Sequence, residues 1–283
     1  MSEKPLHWDW EITKKTSWLG LSFRELASYK DLLFRLVRKD FLASYQQTLL
    51  GPFWVVVQPL LTVFTYVLVF NRVIGISTEG IPPFLYYLTG ITLWSLFSDI
   101  FFGTSSTFIQ NVQVFSKVYF PRLIVPASIV LLHALRFLFQ LLLLIVVLLY
   151  YYFTGQIELQ PVNLFLALPA VVTVIGIGFG GGLLFSILTA KYRDLLSMMQ
   201  LLIRLLMFLC PIFYSLARVP AKFKTMVSIN PLASQFELFR FAFLGKGDVT
   251  PAFILYSVCV MLVLVAGGIL LFNKTGDKLI DVL

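Results

Sequence analysis

The run RKDFLASYQQTLLGPFWVVVQPLLTVFTYVLVFNR, residues 38–72, passes without a linker from a charged segment into one free of charge. Between Phe53 and Phe70 every residue is apolar or uncharged. A bilayer core of about 30 Å is crossed by roughly 20 such residues in a helix. Gly51 and Pro52 mark the corner, because glycine suits the end of one helix and proline the first turn of the next. Phe53 and Trp54 then sit where aromatic rings anchor a span at headgroup level.

The same apolar pattern recurs along the chain. Of its 283 residues 59% are hydrophobic and 13% charged, against about one quarter charged in soluble domains. Six stretches have spanning length: 53–70, 84–109, 123–153, 162–189, 195–216 and 249–272. The expected class is therefore an all-α integral membrane protein with six transmembrane helices. Residues 1–30 are polar, hold no apolar core of signal-peptide length, and read as a cytoplasmic segment.

Positive charge is retained on the cytoplasmic side. With the amino terminus inside, 14 Lys and Arg fall on inner segments and six on outer ones, so both termini read as cytoplasmic. The net charge of +8 lies beside membrane spans, where anionic headgroups are the nearer partner than nucleic acid. Cys210 and Cys259 show no metal or redox spacing and read as small core residues.

Three segments outside the spans carry pattern. Residues 31–50 place Phe34, Val37, Phe41, Tyr45 and Leu49 on one side of a helical wheel and Arg35, Lys39, Asp40, Gln46 and Gln47 on the others. That suits an amphipathic helix in the membrane interface. Arg38 falls on its apolar side and has to snorkel outward. The loop 111–122 is short, basic and aromatic. The outer stretch 217–248 is too apolar for a plain linker and predicts two short helices, with Asn230 as N-cap, Pro231 as first helical residue and Gly245 as the stop. In the fourth span Gly178, Gly182, Ser186 and Ala190 recur every four residues, which lets helices approach closely.

No phosphate-binding loop, Ser/His/Asp set, metal site or paired carboxylate centre occurs in the sequence, so catalysis is not expected of this chain. The spans instead align polar residues, which are costly in lipid unless they face protein or water. At about 100° per residue the stripes are Gln58, Thr62 and Thr65; Thr92, Ser95, Asp99, Ser106 and Gln110; His133, Arg136 and Gln140; and Ser197, Gln200 and Arg204. Interhelical hydrogen bonding explains any one stripe; four in six spans favour a polar conduit. Tyr87, Trp94, Phe97, Phe101 and Phe108 form a separate stripe nearly opposite Asp99, expected to face lipid or a neighbouring helix. Asp99 and Arg204 lie at one level, about 15 and 14 Å from the inner ends of their spans. They are expected to pair within a subunit or across a dimer, while Arg136 snorkels to the inner headgroups.

Taken together, YQQTLLGPFWVVVQPLL (45–61), VFSKVYFPRLIVP (114–126), AKYRDL (190–195) and INPLASQFELFR (229–240) resemble the membrane permease subunit of ABC exporters of the type-2 class. The resemblance is to the branch exporting O-antigen, teichoic acid and capsular polysaccharide. It implies a homodimeric pore in the bacterial inner membrane, a separate ATP-binding-cassette subunit carrying ATP and Mg, and no cofactor here. The implied substrate is a polyprenyl-pyrophosphate-linked glycan moving outward. By the same resemblance Lys117, Tyr119, Phe120, Pro121 and Arg122 form a coupling loop, with Arg38 and Lys39 as a second ATPase contact. The stretch 217–248, with Asn230, Pro231, Glu237 and Arg240, resembles the outer gate hairpin. The expected organisation is a cytoplasmic segment at 1–30, an interface helix at 31–50 and a six-span domain at 51–283.

Other readings stay open. An exporter of a drug or small lipid shares most of these motifs. An ion-coupled secondary transporter needs intramembrane acids, of which Asp99 alone qualifies; transport without ATP that stops with an uncoupler is its signature. A structural subunit or passive channel ignores ATP altogether.

Overall fold

The computed structural model describes residues 28–112, 115, 120–158 and 161–280, and these contain helices and connecting turns but no strand. The principal helices are α1 (Lys30–Tyr45), α2 (Trp54–Tyr66), α3 (Pro83–Ser105), α4 (Ile124–Phe153), α5 (Ala167–Lys191), α6 (Leu195–Leu209), α7 (Ala221–Ser228), α8 (Pro231–Leu244) and α9 (Pro251–Ile280). A 3-10 turn at Gly51–Phe53 leads into α2, and a π-helical stretch, Val67–Val73, continues it. The segment 1–27 lies outside the described residues, as do Lys117 and Tyr119.

Five stretches are long and apolar enough to cross a membrane: Gly51–Val73, Pro83–Ser105, Ile124–Phe153, Asn163–Lys191 and Pro251–Thr275. The expected span at 195–216 is different. Its helix, α6, has 15 residues, about 22 Å at 1.5 Å each, and stops short of a full crossing. Pro211 is the cause: the residue before a proline is driven from the helical region, and Cys210 is extended at φ −95°, ψ 145°. The apolar run continues through 210–216, but the helix does not.

Helix α3 is the core. Leu85, Tyr86, Leu88, Leu93, Ile100 and their neighbours are buried on all sides, with α2, α4, α5, α6 and α8 packed around it. Helix α5 lies between α3 and α9, and its glycines set both distances. A Cβ on Gly182 would meet the Thr104 side chain at 2.6 Å and the Phe101 carbonyl at 2.9 Å, both on α3. On the other face a Cβ on Gly180 would lie 2.5 Å from the Leu264 carbonyl carbon and 2.6 Å from the Val265 nitrogen of α9. Backbone cannot step aside as a side chain can. Gly180→Val is therefore expected to lower stability by at least the 1–3 kcal/mol or so typical of overpacking. Gly267→Ala, where the added methyl meets nothing within 4 Å, should leave stability unchanged or raise it by up to about 1 kcal/mol. Thermal unfolding in detergent compares the two, and equal midpoints would remove the packing role given to Gly180.

Helix α1 packs on α4 through Leu36, and Val37 beside it is also buried. It ends at Tyr45, five residues before the expected limit at 50, because Gln46 turns extended and Gln47 takes φ 61°. Phe34 and Leu49, expected on the apolar side, are exposed to the surroundings of the chain. Helices α7 and α8 follow each other at 221–244. Asn230 accepts a hydrogen bond from the Leu232 N–H and Pro231 is the first helical residue. Gly245, at φ 67°, closes α8 in the left-handed conformation that glycine adopts without strain. Helix α8 is buried along almost its whole length against α3, α5 and α9.

Candidate functional site

A cavity of about 660 Å³ lies among α1, α2, α3, α4 and α6. Its wall contains Gln58 and Thr62 from α2, Ser95 and Asp99 from α3, Arg136 and Gln140 from α4, and Arg204 from α6. These are seven of the residues expected on the polar path. His133 stands just behind the wall, with Nδ1 3.7 Å from Asp99 Oδ2. Thr65 and Gln200 are exposed and do not line the cavity. The Thr65 hydroxyl donates back to the Leu61 carbonyl at 2.9 Å.

Within the single chain Asp99 and Arg204 face one cavity with no ion pair between them among the described residues, and Asp99 Oδ2 lies 3.7 Å from His133 Nδ1. Arg136 turns its guanidinium toward α1. Its Nη2 donates to Ser44 Oγ at 2.8 Å and its guanidinium lies 5.5 Å from the centre of the Tyr45 ring. Both partners belong to the last turn of α1, an element whose proximity to α4 no local pattern reveals. Burial pushes the Tyr45 phenol above its usual value, with the Arg136 guanidinium acting against that, so the phenol stays neutral and able to donate.

Four aromatic residues join the wall: Tyr45, Trp54, Tyr66 and Trp94. Trp94 corrects the expectation that its stripe turns away from Asp99. At about 100° per residue Trp94 and Asp99 stand about 140° apart, and the cavity is wide enough to take that arc, with Ile91 and Ser95 between them. The rest of the stripe behaves as expected: Tyr87, Phe97 and Phe108 are buried between helices. Pro59 in the middle of α2 also lines the cavity; lacking an N–H, it leaves one carbonyl of the preceding turn without its helical partner.

The coupling candidates divide. Arg38 and Lys39 are exposed on α1, Lys39 beside Asp40 at 3.5 Å. Phe120 is buried, packed with Leu36, Ile124, Val125 and Ile129 and stacked on Phe115 at 6.0 Å. It joins the 111–122 loop to α1. Pro121 and Arg122 are half-buried and start the turn into α4, their carbonyls accepting from Ile124 and Val125.

The hairpin candidates converge on one point at the other end of the bundle. Glu237 and Arg240 form an ion pair of 2.8 Å with side chains 0% and 3% exposed. Glu237 Oε1 also accepts from the Leu216 N–H at 3.2 Å and Oε2 from the Asp248 N–H at 3.1 Å. Arg240 donates to the Pro211 carbonyl and lies 4.2 Å over the Tyr86 ring. Asn230 Nδ2 donates to the Leu209 carbonyl at 3.4 Å and contacts Cys210 Sγ at 3.3 Å.

Comparison with known proteins follows the geometry. The family model described as ABC-2 type transporter matches residues 31–244. An O-antigen export system permease protein RfbA from Klebsiella pneumoniae is 30% identical over 254 residues, covering 89% of this chain and 95% of that protein. A second protein of that name and organism is 29% identical over 260 residues, with the same coverage. One from Myxococcus xanthus is 29% identical over 252 residues, covering 87% of this chain and 94% of its own length.

Proposed function

From the premise that the chain belongs to the ABC-2 type transporter family, we propose that it is the membrane permease subunit of an ATP-driven polysaccharide exporter. Its substrate is a polyprenyl-pyrophosphate-linked glycan of the O-antigen kind, moved from the cytoplasmic to the outer side of a bacterial inner membrane. The cavity carries this reading: a wall mixing Gln58, Gln140, Ser95, Asp99 and two arginines with four aromatic rings can hydrogen-bond hydroxyls and pack against sugar faces, which a purely apolar passage for a drug cannot. The names of the three relatives point the same way.

The pore in this reading is completed by a second copy of the chain. Gln58, Thr65, Gln200 and Arg204 are exposed within the single chain, and polar groups at membrane depth are stable only against protein or water. Helix α6 with the segment 210–216 makes the sixth crossing, and both termini are cytoplasmic. Energy comes from a separate ATP-binding-cassette subunit that holds ATP and Mg and docks on α1 and the 111–122 loop.

The test is reconstitution of the chain with its ATPase and a lipid-linked glycan, following ATP-dependent exposure of the sugar on the far leaflet. Turnover stimulated by the glycan is expected; turnover stimulated by drugs or phospholipids alone would replace this reading with the small-molecule one. A docking prediction accompanies it. Because Arg38 and Lys39 are exposed, the double reversal Arg38→Glu/Lys39→Glu should leave insertion intact and cut ATPase co-purification by about tenfold or more, equivalent to 1.4 kcal/mol of binding. Undiminished co-purification would move the contact away from α1.

A further inference from the structure

Helix α3 does not run smoothly into the 111–122 loop. It stops at Ser105, Ser106 departs from helical values at φ −92°, ψ 3°, and one further turn, Thr107–Gln110, stands between the break and the loop. The Thr189 hydroxyl of α5 fastens the break by donating to the Ser105 carbonyl at 2.6 Å. A single helical turn makes too few hydrogen bonds to offset the cost of starting a helix. Its position is therefore set by what its side chains pack against.

That packing comes from the far end of the sequence. Phe108, with no exposed surface, stacks on Phe272 of α9 at 4.9 Å with the ring planes 23° apart, and Phe272 is equally enclosed. Leu123, just before α4, and Leu183 and Ala190 of α5 belong to the same cluster. Helix α9 continues past Phe272 to Ile280, so the ring stands on formed helix and not on a fraying end.

Phe115 extends the stack. Its ring centre lies 5.5 Å from Phe108 and 6.0 Å from Phe120, and it packs against two clusters, the one that holds Phe272 and the one that holds Leu36 of α1. Four rings in succession run from α9 through the loop to the helix whose other side exposes Arg38 and Lys39.

We infer that Phe272 is a positioning residue for the 111–122 loop: it seats Phe108, and through Phe115 it sets the loop and α1 in the arrangement on which the ATPase docks. The inference rests on the reading of α1 and that loop as the docking surface. Helix α9, which packs chiefly on α5 and α8, gives that surface none of the contacts named for it, yet its inner end decides where the surface stands.

The experiment uses the full chain with Cys210→Ser, Cys259→Ser and one new thiol, Val112→Cys, at a half-buried position beside the turn. In detergent, without the ATPase, Phe272→Ala should raise the rate of labelling by a water-soluble maleimide about tenfold or more, the change that weakens the seat by 1.4 kcal/mol. Phe272→Leu, which keeps an apolar side chain there, should also label faster, by a smaller factor. Phe239→Ala removes a similarly buried ring from α8 and should leave labelling unchanged, which separates the seat from a general loosening of the fold. In a second arm Phe272→Ala should reduce ATPase co-purification as Arg38→Glu/Lys39→Glu does. Unchanged labelling in both Phe272 variants, or an equal rise with Phe239→Ala, would overturn the seat. Because labelling requires neither ATPase nor glycan, faster labelling with undiminished co-purification would keep the seat and remove only the docking assigned to the loop.

Discussion

Arg240→Met is expected to destabilise the protein by about 3–5 kcal/mol, the usual result of removing one partner from a buried ion pair. The reason lies in what remains. Glu237, with no exposed surface, would lose the cation that balances it, while the Pro211 carbonyl loses its donor. The Tyr86 ring, which now faces the guanidinium at 4.2 Å, would lose a favourable cation contact as well. Glu237→Gln/Arg240→Met should cost clearly less than the sum of its single changes, because the two side chains share one network. Thermal unfolding of the purified protein in detergent measures all three variants. A single variant as stable as the unaltered chain would show that water already reaches this pair.

The second large effect is expected at Arg136. Its hydrogen bond to Ser44 joins α4 to the last turn of α1, and its place in the cavity wall puts the same side chain beside Asp99 and Gln140. A hydrogen bond to a charged group contributes about 1.5–3 kcal/mol. Arg136→Gln, which can still donate a hydrogen bond but carries no charge, should lower ATP-driven export by about tenfold or more while ATPase association and basal ATP hydrolysis persist. Ser44→Ala should reproduce only a minor part, since Tyr45 still faces the guanidinium. The two variants are compared at equal amounts of assembled complex. Equal export by Arg136→Gln and the unaltered protein would leave Arg136 a fastening between helices with no part in transport.

Much of the architecture is legible locally. Apolar runs of spanning length mark five membrane-crossing helices because the bilayer imposes a length on any helix that crosses it. Asn230, Pro231 and Gly245 mark both ends of α8, since capping is settled by neighbours in sequence. Gly178 and Gly182 point to close packing, and the structure presses both against α3. Seven of the polar-path residues share one cavity because burying them in lipid is costly wherever the helices finally sit.

Other features depend on distance in space. No periodicity places Ser44 against Arg136, 92 residues away, or the Asp99 carboxylate beside His133. A helical wheel turns Trp94 away from the cavity because it gives directions but not the width of the space they open into. One proline, Pro211, decides the length of α6. The sequence by itself determined the all-helical membrane class, the capped ends and the polar faces, since these follow from backbone chemistry and the cost of polarity in lipid. Only the tertiary structure decided that α8 is buried and that Glu237 and Arg240 grip the segment after α6. Two charges three residues apart read as an ordinary exposed helical pair until the surrounding helices remove the water, and desolvation then obliges them to bind each other and the nearest backbone.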